Sequence, residues 1–389
     1  MDKVRFKKRI LRSDNGNILQ KLLFSNSKLA LDIYKILTQE EPGNLVLSPL
    51  SIQLALLTLL SGANGKTAEE LKRGLNLTEE KEEIFQGTKL LLESLQNSCL
   101  EVASQMFIDE RFPMKKSYAQ LVKKYFESTY QTVNFTKSPA KAANLINSWV
   151  STKTNNLINN VISPSDLKDL TFMILLNAVY FKAEWRDKFG PLFTRNEPFY
   201  LSRDRFVQIP MMREFREYRY SKQKSFGILE IPYKTGKDVS FLVFLPDEID
   251  GLPQLENALF ETEFHEMLKK LEVTWVRLRL PKMKIEKSVN VKEILKKLDI
   301  KSMFFPLTAD FFDMFSTEVL DDVLYVSDLV HKAVLKVNEE GTEASAFTRS
   351  IQRGGGCPPS IDFFVDRPFL FMIVQKDFIL FMGRVTNPQ

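Results

Sequence analysis

The chain has 389 residues, 44% apolar and 26% charged, with a net charge of +5. That balance suits a soluble globular protein with a large core, and the charge alone is too small to indicate a nucleic-acid partner. No apolar run approaches the ~18 residues needed to cross a bilayer, so no membrane partner is expected.

Residues 1–12 carry Lys3, Arg5, Lys7, Lys8, Arg9 and Arg12 against Asp2 alone. A basic chain end reads first as a frayed terminus. Clustered positive charge also attracts anionic surfaces, so weak polyanion binding is the functional alternative. The N-terminus lacks the basic–apolar–small pattern of a signal peptide. The sequons Asn76-Leu-Thr and Asn134-Phe-Thr nevertheless make Asn76 and Asn134 candidate N-glycosylation sites and fit secretion. A secreted protein is expected, with an intracellular one as the alternative. Two cysteines, Cys99 and Cys357, make no disulfide framework.

Leu29, Ile33 and Leu37, downstream of Leu22 and Leu23, give the apolar stripe of a first helix. Ser48-Pro-Leu-Ser-Ile opens a second, with Ser48 as cap and Pro49 in the first turn, where its missing N–H is harmless. Ile52 to Leu60 is apolar on nearly every side, so this helix should be buried all round until Gly62 ends it. Lys66-Thr-Ala-Glu-Glu-Leu71 predicts a freshly capped third helix. Phe172 to Phe181 is a nearly continuous apolar run, as in a strand covered on both faces. Further strands are predicted at Phe226–Pro232, Val239–Leu245 and Val273–Leu280, a helix at Val291–Leu298, and closing strands at Ile361–Val365, Phe369–Val374 and Phe378–Val385. Helices first and then mostly strands, with no linker or repeat, predict one α+β domain.

Catalytic motifs are few. His265-Glu-Met-Leu-Lys269 begins like a zinc-protease helix, but Lys269 stands where the second histidine is required. There is no Gly-x-Ser-x-Gly elbow, phosphate-binding loop or dinucleotide fingerprint. No catalytic residue, cofactor or metal is expected. His331 reads as a buried, hydrogen-bonded structural histidine, the enzyme alternative being a triad assembled around it from distant residues.

The segment from Glu339 to Arg353 carries more information. Thr342, Ala344, Ala346, Thr348 and Ser350 are small, while the alternate positions Glu343, Ser345, Phe347, Arg349 and Ile351 are charged, large or indifferent. Alternate residues of a strand face opposite sides, so one face of this segment tolerates tight packing. Yet Gly341 and Gly354-Gly-Gly flank it with flexible points, and it is polar enough for an exposed loop. A conformational switch and an ordinary surface loop both fit.

Several motifs choose between them. Asn44-Leu-Val-Leu-Ser-Pro-Leu-Ser-Ile-Gln-Leu-Ala-Leu56, Gly62-Ala-Asn-Gly-Lys-Thr-Ala-Glu-Glu-Leu71, Ile146-Asn-Ser-Trp-Val150 and Leu176-Asn-Ala-Val-Tyr-Phe-Lys-Ala-Glu-Trp185 occur in order, the last with Ala183 where glycine is usual. Pro210-Met-Met, Leu280-Pro-Lys-Met, His331 to Ala346, and Asp366-Arg-Pro-Phe-Leu-Phe with Phe381-Met-Gly-Arg-Val-Thr-Asn-Pro388 complete the set. With these the chain resembles the serpin family from about residue 24 to the end. Residues 1–23 are then a basic N-terminal extension and 24–389 a single domain.

The resemblance implies an α+β serpin fold of three β-sheets and about nine helices, with an exposed C-terminal reactive loop at about 339–361. It implies a monomeric protease inhibitor that is attacked as a substrate by a serine protease, traps it covalently, and inserts its loop into the main sheet. By position, Ser48, Ser51, Asn177 and His331 match the cluster beneath the point where the strands part. Trp185 and the pair Glu339–Lys282 match the top of that sheet. The hinge is Glu339, Glu340, Gly341, Thr342, Glu343, Ala344, Ser345, Ala346 and Thr348, with small residues at the inward positions as in inhibitory members. The scissile bond falls within Arg353, Gly354, Gly355, Gly356 and Cys357. Counting seventeen from Glu339 reaches Gly355, while counting back from Arg367-Pro-Phe favours a site nearer Cys357. Arg353 would suit a trypsin-like enzyme. A non-inhibitory carrier, chaperone or storage serpin, or a cross-class inhibitor of cysteine proteases, is the alternative. Cys357 is either an inert free thiol or a redox-sensitive or intermolecularly bonded one. Glu79, Glu80, Glu82 and Glu83 make the segment of the family's heparin-binding helix acidic. Lys269, Lys270, Arg277, Arg279, Lys282 and Lys284 form a second basic region.

Overall fold

The computed structural model describes residues 14–95, 100–154, 156, 158–168, 170–181, 183–234, 238–261, 264–315, 324–341 and 358–389. Helix α1 (Asp14–Glu40) buries Leu22, Leu29 and Ile33 completely along one stripe. After the short strand β1 (Leu45–Leu47) comes α2 (Pro49–Gly62), every residue of which is buried. Ser48 caps α2, its Oγ accepting the Ser51 N–H at 3.4 Å. Helices α3 (Gly65–Gly74) and α4 (Lys81–Leu95) follow. The expected domain boundary at residue 24 falls inside α1: Ile18 and Leu22, upstream of it, are buried in the core where α1 packs on α4. The capping expected for α3 is also different. Asn64 stands at its N-cap without a side-chain cap bond. Thr67 bonds the Thr308 carbonyl and Asp310 N–H, and Glu70 accepts the N–H groups of Lys301 and Ser302, so both capping partners serve a remote segment instead.

Strand β2 (Leu100–Asp109), helix α5 (Lys116–Phe126), strand β3 (Thr129–Val133), helix α6 (Pro139–Lys153) and strand β4 (Met173–Phe181) come next. Then come β5 (Arg195–Ser202), β6 (Arg205–Lys222), β7 (Phe226–Pro232), β8 (Val239–Pro246), α7 (Leu252–Glu261), α8 (Phe264–Lys269), β9 (Glu272–Pro281), β10 (Met283–Asn290) and α9 (Val291–Lys297). Strands β11 (Asp328–Val337), β12 (Ser360–Phe364), β13 (Phe369–Gln375) and β14 (Phe378–Val385) close the chain. The described residues thus contain nine α-helices.

Among the described residues the strands form two sheets, where the resemblance implies three. One has five strands in the order β10-β11-β4-β2-β3; the other has nine, β1-β14-β13-β8-β7-β6-β9-β12 with β5 on β6. The reason is β6, 18 residues long. It pairs with β5 near its start, with β9 along its later part and with β7 over its last residues, so two expected sheets share one unbroken strand.

The five-stranded sheet is covered on both faces, which explains the apolar run in β4. Leu175 and Phe181 face the main core with α2 and β14, whereas Ile174 and Leu176 join Phe107, Ile146, Val150 and Val334 beneath α6. A buried network ties α1 to the far sheet: Tyr34 donates to Glu256 at 2.8 Å and Arg384 of β14 bonds the same carboxylate at 3.0 Å.

Candidate functional site at the seam of the five-stranded sheet

Strands β4 and β11 are direct parallel neighbours, in register from Asp328 opposite Ile174 to Val334 opposite Tyr180. Beneath this seam lies a buried polar cluster. The Ser48 N–H donates to His331 Nε2 at 3.0 Å. A backbone N–H only donates, so Nε2 is the unprotonated nitrogen and Nδ1 carries the proton, given to Asn177 Oδ1 at 3.0 Å. Asn177 Nδ2 donates to the Ser51 carbonyl, and Ser51 Oγ to the Ser48 carbonyl, each at 2.9 Å. The structure therefore brings Ser48, Ser51, Asn177 and His331 into one chain of hydrogen bonds. Burial favours neutral imidazole and pushes the His331 pKa down to about 3. Both ring nitrogens are occupied and the ring is fully buried, so it offers no base to a nucleophile.

At the top of the seam the residues after β11 are held against those after β4. Trp185 is fully buried, stacks on Tyr233 with centroids 4.4 Å apart, and donates Nε1–H to the Asn338 carbonyl at 2.8 Å. Lys282 Nζ lies 2.8 Å from Glu339 Oε2, and the Thr194 hydroxyl donates to Oε1 at 2.8 Å. Burial alone would raise the Glu339 pKa. The hydrogen bonds from Lys282, its own backbone and Thr194, with the nearby ammonium charge, outweigh that and hold it below the usual carboxylate range. Glu340 meets Lys188 at 3.4 Å. Gly341 adopts φ +123°, and a Cβ there would overlap the Ala183 carbonyl and the Trp185 amide. Only glycine fits this conformation and this approach.

The remaining hinge and scissile positions, Thr342, Glu343, Ala344, Ser345, Ala346, Thr348, Arg353, Gly354, Gly355, Gly356 and Cys357, lie outside the described residues, as does Cys99. The described chain stops at Gly341 and resumes at Pro358, ahead of β12, which pairs parallel with β9. Asn76 is exposed in a left-handed turn after α3, and Asn134 Nδ2 donates to Glu110 at 2.6 Å. The second basic region is largely neutralised, Lys269 by Glu266, Arg277 by Asp362, Arg279 by Glu197, Lys282 by Glu339 and Lys284 by Glu286. His265 bonds Ser27 Oγ at 3.3 Å, and among the described residues no cluster of three metal-ligating side chains forms.

Lys188, Thr194 and Asn338 belong to this site and were not singled out from the sequence. No spacing signals them, because their partners lie about 150 positions away in the chain.

The model of the family described as serpin (serine protease inhibitor) matches residues 24–388. Leukocyte elastase inhibitor of Bos taurus is 32% identical, over 95% of this chain and 100% of that protein. Serpin48 of the insect Tenebrio molitor superposes with a TM-score of 0.85 at 30% identity, covering 95% of this chain and 99% of that one. Human thyroxine-binding globulin, solved in complex with thyroxine, gives a TM-score of 0.85 at 28% identity, covering 96% of this chain and 100% of that one. The family match over residues 24–388, with relatives above 30% identity along nearly the whole length, places this chain in the serpin family of serine protease inhibitors.

Proposed function

We propose that the chain is a suicide-substrate inhibitor that traps a trypsin-like serine protease and inserts its loop between β4 and β11. The protease serine Oγ adds to the scissile carbonyl, the peptide C–N bond breaks, and the departing amine takes the proton carried by the protease histidine. This leaves an ester between the protease and the new C-terminus of the loop. Insertion then competes with water for the ester.

The observation that carries this reading is the parallel β4–β11 pair. The chain leaves the end of β11 beside the seam, so the following segment can fold back between the two strands and run antiparallel to both. Each new backbone hydrogen bond is worth about 1 kcal/mol net, so the intact protein is a kinetically held state. The small residues Thr342, Ala344, Ala346 and Thr348 suit a strand pressed against a core. Arg353 supports the trypsin-like target, since its guanidinium suits an acidic specificity pocket. The name of the bovine relative makes elastase the second enzyme to try.

Incubation with trypsin and elastase, followed by denaturing gels and mass spectrometry, tests the proposal. A covalent adduct with cleavage after Arg353 is expected. Clean turnover of the loop by both enzymes with no adduct would overturn inhibition. An adduct mapped to Gly355 or Cys357 would overturn the assignment of Arg353. We also propose secretion, on Asn76 and Asn134. An unmodified mass for the protein recovered from its native source would remove that support.

A further inference from the structure

Above Val334 and Tyr180 the two strands of the seam cease to pair with each other, while Leu335, Lys336 and Val337 keep their partners on β10. Into this fork the chain makes a tight reversal. Asn338 N–H donates to the Gly341 carbonyl at 3.1 Å, and Gly341 N–H to the Asn338 carbonyl at 3.3 Å, with Glu339 and Glu340 as the turn. Gly341 is bridged antiparallel to Asn338 on one side and to Glu184 on the other. A strand lying between parallel neighbours has the same sense to both, and a segment that turns back from the end of β11 is antiparallel to both, as Gly341 already is.

Its register agrees as well. Ser345 is four residues after Gly341; Val334 and Tyr180 are four before Asn338 and Glu184, and these two now pair with each other. Seven residues on, Thr348 would fall opposite His331 and Asn177 on insertion, also a present pair. A turn unrelated to insertion has no reason to share the alignment of the closed seam.

We infer that Gly341 is the first residue of the inserted strand, seated before any cleavage, and that Lys188 is the positioning residue that fastens it. Lys188 Nζ lies 2.9 Å from Glu184 Oε1 and 3.4 Å from Glu340 Oε2, joining the end of β4 to the turn. Two backbone bonds run the same way, Trp185 N–H to the Glu340 carbonyl and Phe189 N–H to the Glu339 carbonyl, both 2.8 Å. The Glu339–Lys282 pair does something else. Lys282 precedes β10, on the β11 side of the fork, so that pair does not cross it. The inference rests on the inhibitory reading for its consequence: a seated first residue removes the ordering step that insertion would otherwise begin with.

The test uses the full chain with Lys188→Ala, Glu340→Ala, the double variant and Lys188→Arg. Amide hydrogen exchange of the intact protein, without protease, should show Gly341, Trp185 and Phe189 protected in the parent and faster in Lys188→Ala. Against trypsin, the moles of inhibitor consumed per mole trapped should rise about three-fold in either alanine variant, with no further rise in the double variant and recovery in Lys188→Arg. Exchange of the parent Gly341 amide at the rate of an unstructured peptide overturns the seated strand. Unchanged exchange and unchanged consumption in Lys188→Ala overturn the role of Lys188. If neither trypsin nor elastase is trapped, the inhibitory reading fails, while the exchange data still decide whether the turn is seated.

Discussion

His331 Nδ1 and Asn177 Oδ1 lie 3.0 Å apart across two parallel strands, and the other ring nitrogen accepts the Ser48 amide from the helix below. The imidazole therefore locks β11 to β4 and both to α2, and it does so only while neutral. A proton on Nε2 would face the Ser48 N–H and leave two donors opposed in a buried site.

The first prediction is a pH dependence. The folded-state pKa of His331 is lowered to about 3, from 6.5. The unfolded chain thus takes up a proton that the folded chain refuses. The stabilisation is complete above about pH 6.5 and is lost as the pH falls towards 3, at up to about 1.4 kcal/mol per unit. Melting curves between pH 7 and 5 should show the parent losing stability. His331→Gln, less stable at pH 7, should lose much less over the same interval. Equal slopes would remove His331 as the cause.

Gly341→Ala is the second. Its φ of +123° and the overlap with the Ala183 carbonyl leave no room for a side chain. Strain of this kind costs about 1–3 kcal/mol, and the turn can escape it by leaving the fork. The melting temperature should change little if the turn escapes, while trapping of trypsin falls and loop turnover rises. A variant that traps as efficiently as the parent would show that the left-handed seat is not needed.

The third prediction concerns cleavage within residues 349–357. A freed loop that enters the seam gains hydrogen bonds to both neighbours, each about 1 kcal/mol, so nicking should raise the melting temperature by about 10 °C or more. An unchanged transition would mark a loop that does not insert.

Much of this was legible in the chain because it was local. Ser48 and Pro49 announce α2, and the strands Phe226–Pro232 and Phe378–Val385 end where their apolar runs end. What could not be read was set by distant partners. Thr67 and Glu70 spell a capping box but serve residues 301–310, a segment more than 200 positions away. The merging of two sheets through β6 depends on one strand staying unbroken, which periodicity does not report. At the site, family motifs pick out His331, Asn177 and Glu339, while Lys188 carries no motif and enters only through its distances to Glu184 and Glu340.

The last prediction separates strand parity from charge. Three residues after Gly341, Ala344 would come opposite Leu335 and Phe181, both fully buried in the main core. Cross-strand neighbours share a face, so Ala344→Arg would bury an unpaired guanidinium on insertion, an expensive arrangement. Ser345 would fall opposite Val334, on the outer face but beneath α6, and makes a poor control. Glu343 is the better one: it would fall opposite Lys336, which is only half-buried at the edge of the fork. In the uncleaved protein either substitution should change stability by no more than about 0.5 kcal/mol. After acylation the two should diverge. Ala344→Arg should insert too slowly, release active trypsin and run as a substrate, and its nicked form should show a smaller thermal gain than the parent. Glu343→Arg should still trap trypsin and keep most of that gain. Equal trapping by both variants, or equal failure, would mean that the loop does not enter the seam in the register set by Gly341.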